Sequence, residues 1–330
     1  MSAKNHHTPA NMALWQGRID DEEEGISWRW HQQVQALPTD YSEVQTGDVA
    51  LLGFACDEGV RRNKGRQGAK QGPEAIRKAL ANAAWHLSKA VYDAGDVNCD
   101  DEQLEPVQAA LGLQVAQLLR QGLQPIVLGG GHEIAWASFQ GIAQHVYAQN
   151  PKAAVGIVNF DAHLDLRNPE RQGSSGTPFR QIAEWCAHQH KPFHYYCIGV
   201  NDSANTQALF DFAKSQGVLW RLDHQCKLSD FSDIRAEMQT YLRQLDYLYL
   251  TICMDVFNAA AAPGVSAPSV MGLDPVIGLA LIKLLISEAQ ALNLPIVLVD
   301  LAECNPLLDQ DSRTAKLAAR LVYEIAGAAQ

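Results

Sequence analysis

The chain has 330 residues, 47% hydrophobic and 19% charged, which suits one large α/β domain or two smaller ones and argues against disorder and coiled coil. Its 26 Lys and Arg face 37 Asp and Glu, a formal charge of −11 that disfavours nucleic acid and anionic membranes as partners and leaves a small molecule as the expected one. No run approaches the roughly 18 apolar residues of a spanning helix, and the start of the chain lacks the apolar core of a signal peptide, so the expected location is cytoplasmic.

Residues 1–47 show no regular period and read as an irregular N-terminal arm, with Trp15, Trp28 and Trp30 expected to pack on the body and the acidic run at 20–24 as a solvated loop. From residue 48 to 330, short aliphatic runs alternate with longer amphipathic ones. The predicted elements are strand 49–54, helix 73–87, strand 90–93, helix 102–120, strand 125–128, helix 133–147, strand 155–160 and helix 178–188. Strand 195–200, helix 205–215, strand 218–221, helix 231–244, strand 247–254, helix 275–291, strand 295–301 and helix 312–325 follow. Strands separated by helices predict a parallel sheet, several of whose strands are apolar on both faces as buried parallel strands are. No linker or repeat interrupts the pattern, so one domain is expected.

Cysteines at 56, 99, 186, 197, 226, 253 and 304 are odd in number and lack CxxC pairing, which suggests neither a disulfide framework nor a structural zinc site.

Chemistry-bearing residues collect where strands end. In Asn159-Phe160-Asp161-Ala162-His163-Leu164-Asp165, an extended chain points Asp161, His163 and Asp165 to one side, at the carboxyl edge where parallel sheets hold ligands. A polar strand end with satisfied hydrogen bonds would look the same. Leu128-Gly129-Gly130-Gly131-His132-Glu133 breaks a strand into three glycines and presents a histidine before a helix, either a ligand or a capping residue. The run Leu250 to Asn258 puts Cys253 and Asp255 on a common face and leads into the Pro/Gly loop Ala262-Pro-Gly-Val-Ser-Ala-Pro268. Glu303 closes the last strand, where a buried carboxylate needs a cation or an arginine.

Taken together these segments resemble the ureohydrolase (arginase/agmatinase) superfamily, whose pattern is Gly-Gly-x-His, Asp-Ala-His-x-Asp, Ser-x-Asp-x-Asp and Glu-x-Asn-Pro, over about residues 48–325. The stretch Gly129 to Gly141, the Asp-Leu-Arg after His163, Ser174-Ser-Gly-Thr-Pro-Phe179 and residues 262–268 look most like its formimidoylglutamase branch. The resemblance implies a single three-layer α/β/α domain on a parallel sheet of about eight strands, and hydrolysis of N-formimidoyl-L-glutamate to L-glutamate and formamide in histidine degradation. It implies two Mn2+ per chain, held by His132, Asp161, His163, Asp165, Cys253 and Asp255, and a hydroxide shared by the metals that attacks the amidine carbon. Cys253 stands where most relatives carry a bridging aspartate, and its softer sulfur puts the second metal in doubt or favours another metal.

By the same resemblance Asp165 relays a proton to the leaving nitrogen and Glu303 holds the amidinium. Arg167 stands where arginases place a neutral residue, and a guanidinium suits a substrate carboxylate. Arg61 and Arg66, in the loop 58–68, are further carboxylate candidates or surface arginines, and Ser175 and Asn201 lie in loops that border substrate in relatives. Phe179 falls near a histidine position of arginases, which disfavours arginase itself. The competing expectations are a guanidino-compound hydrolase releasing urea, a metal-poor binding homologue, and a single-zinc deacetylase. Relatives assemble as trimers or hexamers, so a homo-oligomer is also expected.

Overall fold

The computed structural model describes residues 6–22, 24–170 and 172–328, so residues 1–5 of the arm and the last two of the chain lie outside the described residues. Eight strands carry the sheet: β1 (Val49–Ala55), β2 (Val91–Asn98), β3 (Gln124–Gly129), β4 (Val155–Phe160), β5 (His194–Val200), β6 (Leu219–Leu222), β7 (Tyr247–Cys253) and β8 (Ile296–Ala302). They run parallel in the order β2-β1-β3-β8-β7-β4-β5-β6. Every connection therefore has to cross over, and helices supply the crossovers.

Side chains alternate between two cores. Val49 and Leu51 of β1 face one, with the helices Gly72–Leu80, Phe231–Leu242, Pro275–Ala291 and Arg313–Ala328. Ala50, Leu52 and Phe54 face the other, with Leu104–Arg120, Ile134–Gln149, Pro178–His188 and Gln207–Ser215. The architecture is one three-layer α/β/α domain, because parallel strands left open on either face would expose apolar rows to water.

Two further strands bring the sheet to ten. His7–Thr8 pairs antiparallel, and Gln35–Ala36 parallel, with β2 on the side away from β1. The arm thus covers an edge that would otherwise present unpaired backbone groups. Two-residue strands have no period to read, which is why the sequence shows only the eight. Trp15 and Trp30 are buried as expected, Trp30 edge-on to Trp85, whereas Trp28 is 48% exposed. The helix predicted over 73–87 stops at Leu80, because the next residues pair with the arm: the Trp85 N–H donates to the Trp28 carbonyl and Arg29 bridges Ala84. Residues 58–62, read as loop, form a short helix.

The strand order sets the site. β8 and β7 insert between β3 and β4, so the carboxyl ends of β3, β8, β7 and β4 lie side by side although their residues are far apart in sequence.

Candidate metal and substrate site

Local backbone needs explain why each side chain is where it is. After β3 the Gly130 N–H donates to the Phe54 carbonyl and the Gly131 N–H to that of Cys56. A Cβ on Gly130 would lie 1.7 Å from the Cys56 oxygen, so only glycine lets the chain pass β1 and deliver His132. After β4 the Asp161 N–H still pairs with the Ile198 carbonyl of β5, which carries the extended conformation one residue past the strand. Asp165 (φ 49°) and Glu303 (φ 67°) adopt the left-handed region that side chains rarely occupy, a sign of backbone strain held by its surroundings.

Six donors converge. His132 Nδ1 lies 2.8 Å from Asp161 Oδ2 and 3.1 Å from Asp165 Oδ2, and His163 Nδ1 lies 3.1 Å from Asp255 Oδ2 and 3.5 Å from Asp161 Oδ1. Ligand atoms of His132, Asp161 and Cys253 lie within 4.8 Å of one another, as do those of Asp161, His163 and Asp255. Asp161 belongs to both groups. Asp255 Oδ1 and Glu303 Oε2 are buried without a hydrogen-bond partner, and His132 Nδ1 lies close to two carboxylates without meeting hydrogen-bond geometry. Such atoms are costly unless something binds them, and the five oxygen and nitrogen donors suit Mn2+, with the Cys253 sulfur the one softer member, so the residues fit the metal.

The charges are strained accordingly. Burial raises the Asp165 and Asp255 carboxyls, and the neighbouring Asp161 charge raises them further. Burial opposes the His132 charge, but Asp161 and Asp165 outweigh it and hold its pKa well above the usual imidazole range. Burial also pushes up the Cys253 thiol, with the charges of Asp161, Asp255 and Glu303 adding to the effect. Glu303 accepts a 3.0 Å hydrogen bond from the His132 N–H, and burial with the charges of Glu133 and Asp255 lifts its pKa well above normal.

A supporting layer holds the candidate ligands. His132 Nε2 lies 3.0 Å from Thr251 Oγ1, and Thr251 pairs in register with Asp300, whose Oδ2 accepts from Ser138 and Tyr249 hydroxyls. Asn159 Nδ2 donates to Asp161 Oδ2 at 3.1 Å, and Phe179 packs edge-on to the His132 ring. Groups behind a ligand fix its orientation and basicity. Thr251 and Asp300 escaped the sequence reading because each sits inside an apolar strand and the pairing exists only across β7 and β8.

A cavity of about 350 Å³ opens over these donors and is lined by His132, His163, Asp165, Cys253, Asp255 and Glu303. Arg167 and Ser175 line it as well, with Ser175 Oγ accepting from Asn63 Nδ2 at 3.1 Å. Arg66 reaches the wall, but its guanidinium donates to the Val265 and Ser266 carbonyls. Arg61 lies off the wall, paired with Glu58 and Glu102. Asn201 is also off it, its side chain accepting from Ser203 at a turn. Asn63, Lys64 and Asn205 line the cavity without having been singled out. Asn-Lys-Gly after a cationic pair is a helix-end signal, and it was available in the sequence.

Fold, strand order and ligand set define a metal-dependent hydrolase of the arginase class, and the chain belongs to the Arginase family, whose model matches residues 47–327. Among its relatives, the formimidoylglutamase of Aeromonas salmonicida is 50% identical over 316 residues, covering 96% of this chain and 98% of that protein. The fold superposes on the crystal structure of formimidoylglutamase from Bacillus subtilis with a TM-score of 0.80, at 21% identity and 94% of each chain. It also superposes on Trypanosoma cruzi formiminoglutamase with Mn2+2, with a TM-score of 0.72 at 25% identity, over 87% of this chain and 95% of that one.

Proposed function

We propose that the chain hydrolyses N-formimidoyl-L-glutamate to L-glutamate and formamide, the formimidoylglutamase reaction of histidine degradation, with two Mn2+ per chain held by His132, Asp161, His163, Asp165, Cys253 and Asp255. The observation that carries this reading is a single cavity lined by His132, His163, Asp165, Cys253, Asp255, Glu303 and Arg167, with Asp161 buried beneath it as a member of both candidate ligand groups and one Glu303 oxygen unpartnered.

When bound, the metals supply Lewis acidity, which brings the pKa of a water down toward neutrality and so provides a nucleophile strong enough for an amidine carbon. The chain's own groups do the rest. Glu303 is preorganised by the His132 N–H on one oxygen, which leaves the other free for the amidinium nitrogens. Asp165, half-buried at the cavity wall, takes the proton of the attacking water and delivers it to the leaving α-nitrogen of glutamate. Arg167 meets a carboxylate of the substrate, and Ser175, tied to Asn63, lines the same wall.

Arg167 also argues against agmatine, whose free ammonium end would meet a cation at the cavity wall. The seven free, buried thiols suit a cytoplasmic enzyme, and the homo-oligomeric habit of the family is extended to this chain as a proposal that sedimentation checks. The deciding assay is formamide release from formimidoylglutamate by reduced, Mn2+-loaded protein. Urea release from agmatine with formimidoylglutamate left intact would overturn the substrate.

A further inference from the structure

We propose that Lys64 is a specificity-determining residue, binding one of the two substrate carboxylates while Arg167 binds the other. The inference rests on the formimidoylglutamate reading and deepens it.

The argument begins in the backbone. The helix Glu58–Arg62 ends with the Lys64 N–H donating to the Arg61 carbonyl and the Gly65 N–H to that of Val60, the paired bonds of a helix terminated by a left-handed residue. That residue is Lys64, at φ 61°. Glycine is the residue such a position favours, and a lysine there gives up stability for its side chain. Lys64 shares this strained conformation with Asp165 and Glu303, and all of them line the same cavity.

Charge gives the second argument. Neighbouring Arg61 and Arg62 are engaged by Glu58, Glu102 and Glu105. Among the described residues Lys64 and Arg167 have no ion pair, so two uncommitted cations line a cavity whose proposed ligand carries two carboxylates. The turn is anchored on both sides of the mouth, by Asn63 Nδ2 donating to Ser175 Oγ and by the Arg66 N–H donating to Ser266 Oγ at 2.8 Å. An anchored turn fixes the point at the cavity wall from which the exposed Lys64 side chain leaves the backbone.

The test compares wild type, Lys64→Met and Lys64→Gly, Mn2+-loaded and reduced, on formimidoylglutamate and on two analogues that each keep one carboxylate, N-formimidoyl-2-aminobutyrate and N-formimidoyl-4-aminobutyrate. Lys64→Met raises KM for the dianion about tenfold or more with kcat within about twofold, raises it on one analogue and leaves the other unchanged. Lys64→Gly shows the same KM change with an unfolding midpoint no lower than wild type. An unchanged KM on the dianion, or an equal rise on all three substrates, overturns the assignment. No formamide from wild type overturns the parent reading and this inference with it.

Discussion

Two buried charge clusters occupy different parts of the sheet and end in opposite states. Near the β2 edge, Arg77 is 1% exposed and lies between Asp93 and Asp96, donating to Asp96 Oδ1 at 2.7 Å, to Asp93 Oδ1 at 2.9 Å and to the Gly95 carbonyl. Trp15 Nε1 and the Gly95 N–H complete the Asp93 carboxylate, and only Arg77 Nε, 2.9 Å from Asp93 Oδ2, misses hydrogen-bond geometry. At the centre of the sheet, Asp161, Asp165, Asp255 and Glu303 outnumber two histidines, and oxygens of Asp255 and Glu303 are left over. A cluster whose charges answer one another is a staple, whereas a surplus of carboxylates is a site that takes cations. Both cost desolvation, and the difference lies in what repays it.

Changes on each side separate the two roles. Asp161→Ala removes the shared ligand, and activity falls by about 10³-fold or more with loss of bound metal, while circular dichroism stays native. Retained metal stoichiometry would mean that Asp161 does not bridge. Arg77→Met leaves Asp93 buried without its cation and costs about 3–5 kcal/mol in denaturant unfolding, with unchanged metal content of the folded protein. If that variant loses metal instead, the clusters are not independent. Excess Mn2+ stabilises by about 2.7 kcal/mol at a hundred times its Kd, read as a rise in the unfolding midpoint that Asp161→Ala abolishes and Arg77→Met keeps. Cys253→Asp, the smallest change, strengthens Mn2+ binding about tenfold in metal titrations, because a carboxylate is the harder ligand. An unchanged affinity there would place the thiol outside the ligand set.

The staple and the site also differ in how much of them the sequence reveals. Asp161, His163 and Asp165 are neighbours in the chain, and alternation along an extended segment is enough to put them on one side. Arg77 and Asp93 belong to a helix and a strand with nothing local to link them. Lys64 fell between these cases: the glycines around it read as a loop, because a five-residue helix is too short to show a period. Phe179 was noted only for what it lacks, yet it walls the His132 ring. Trp28 was grouped with two buried tryptophans, but exposure depends on what the arm lies against rather than on residue type.

By itself, the sequence determined the alternation of strands and helices, the parallel sheet, and the strand ends where candidate ligands collect, since hydrophobic period and glycine punctuation are local properties. Only the tertiary structure decided that β8 and β7 stand between β3 and β4, which brings Glu303 to the His132 backbone and Thr251 beside Asp300. It alone decided that the arm closes the β2 edge and that, among the described residues, Lys64 and Arg167 at the cavity have no ion pair while Arg61 does. Strand order and ion pairing are relations between distant segments, settled by which surfaces and charges satisfy one another once the chain is folded.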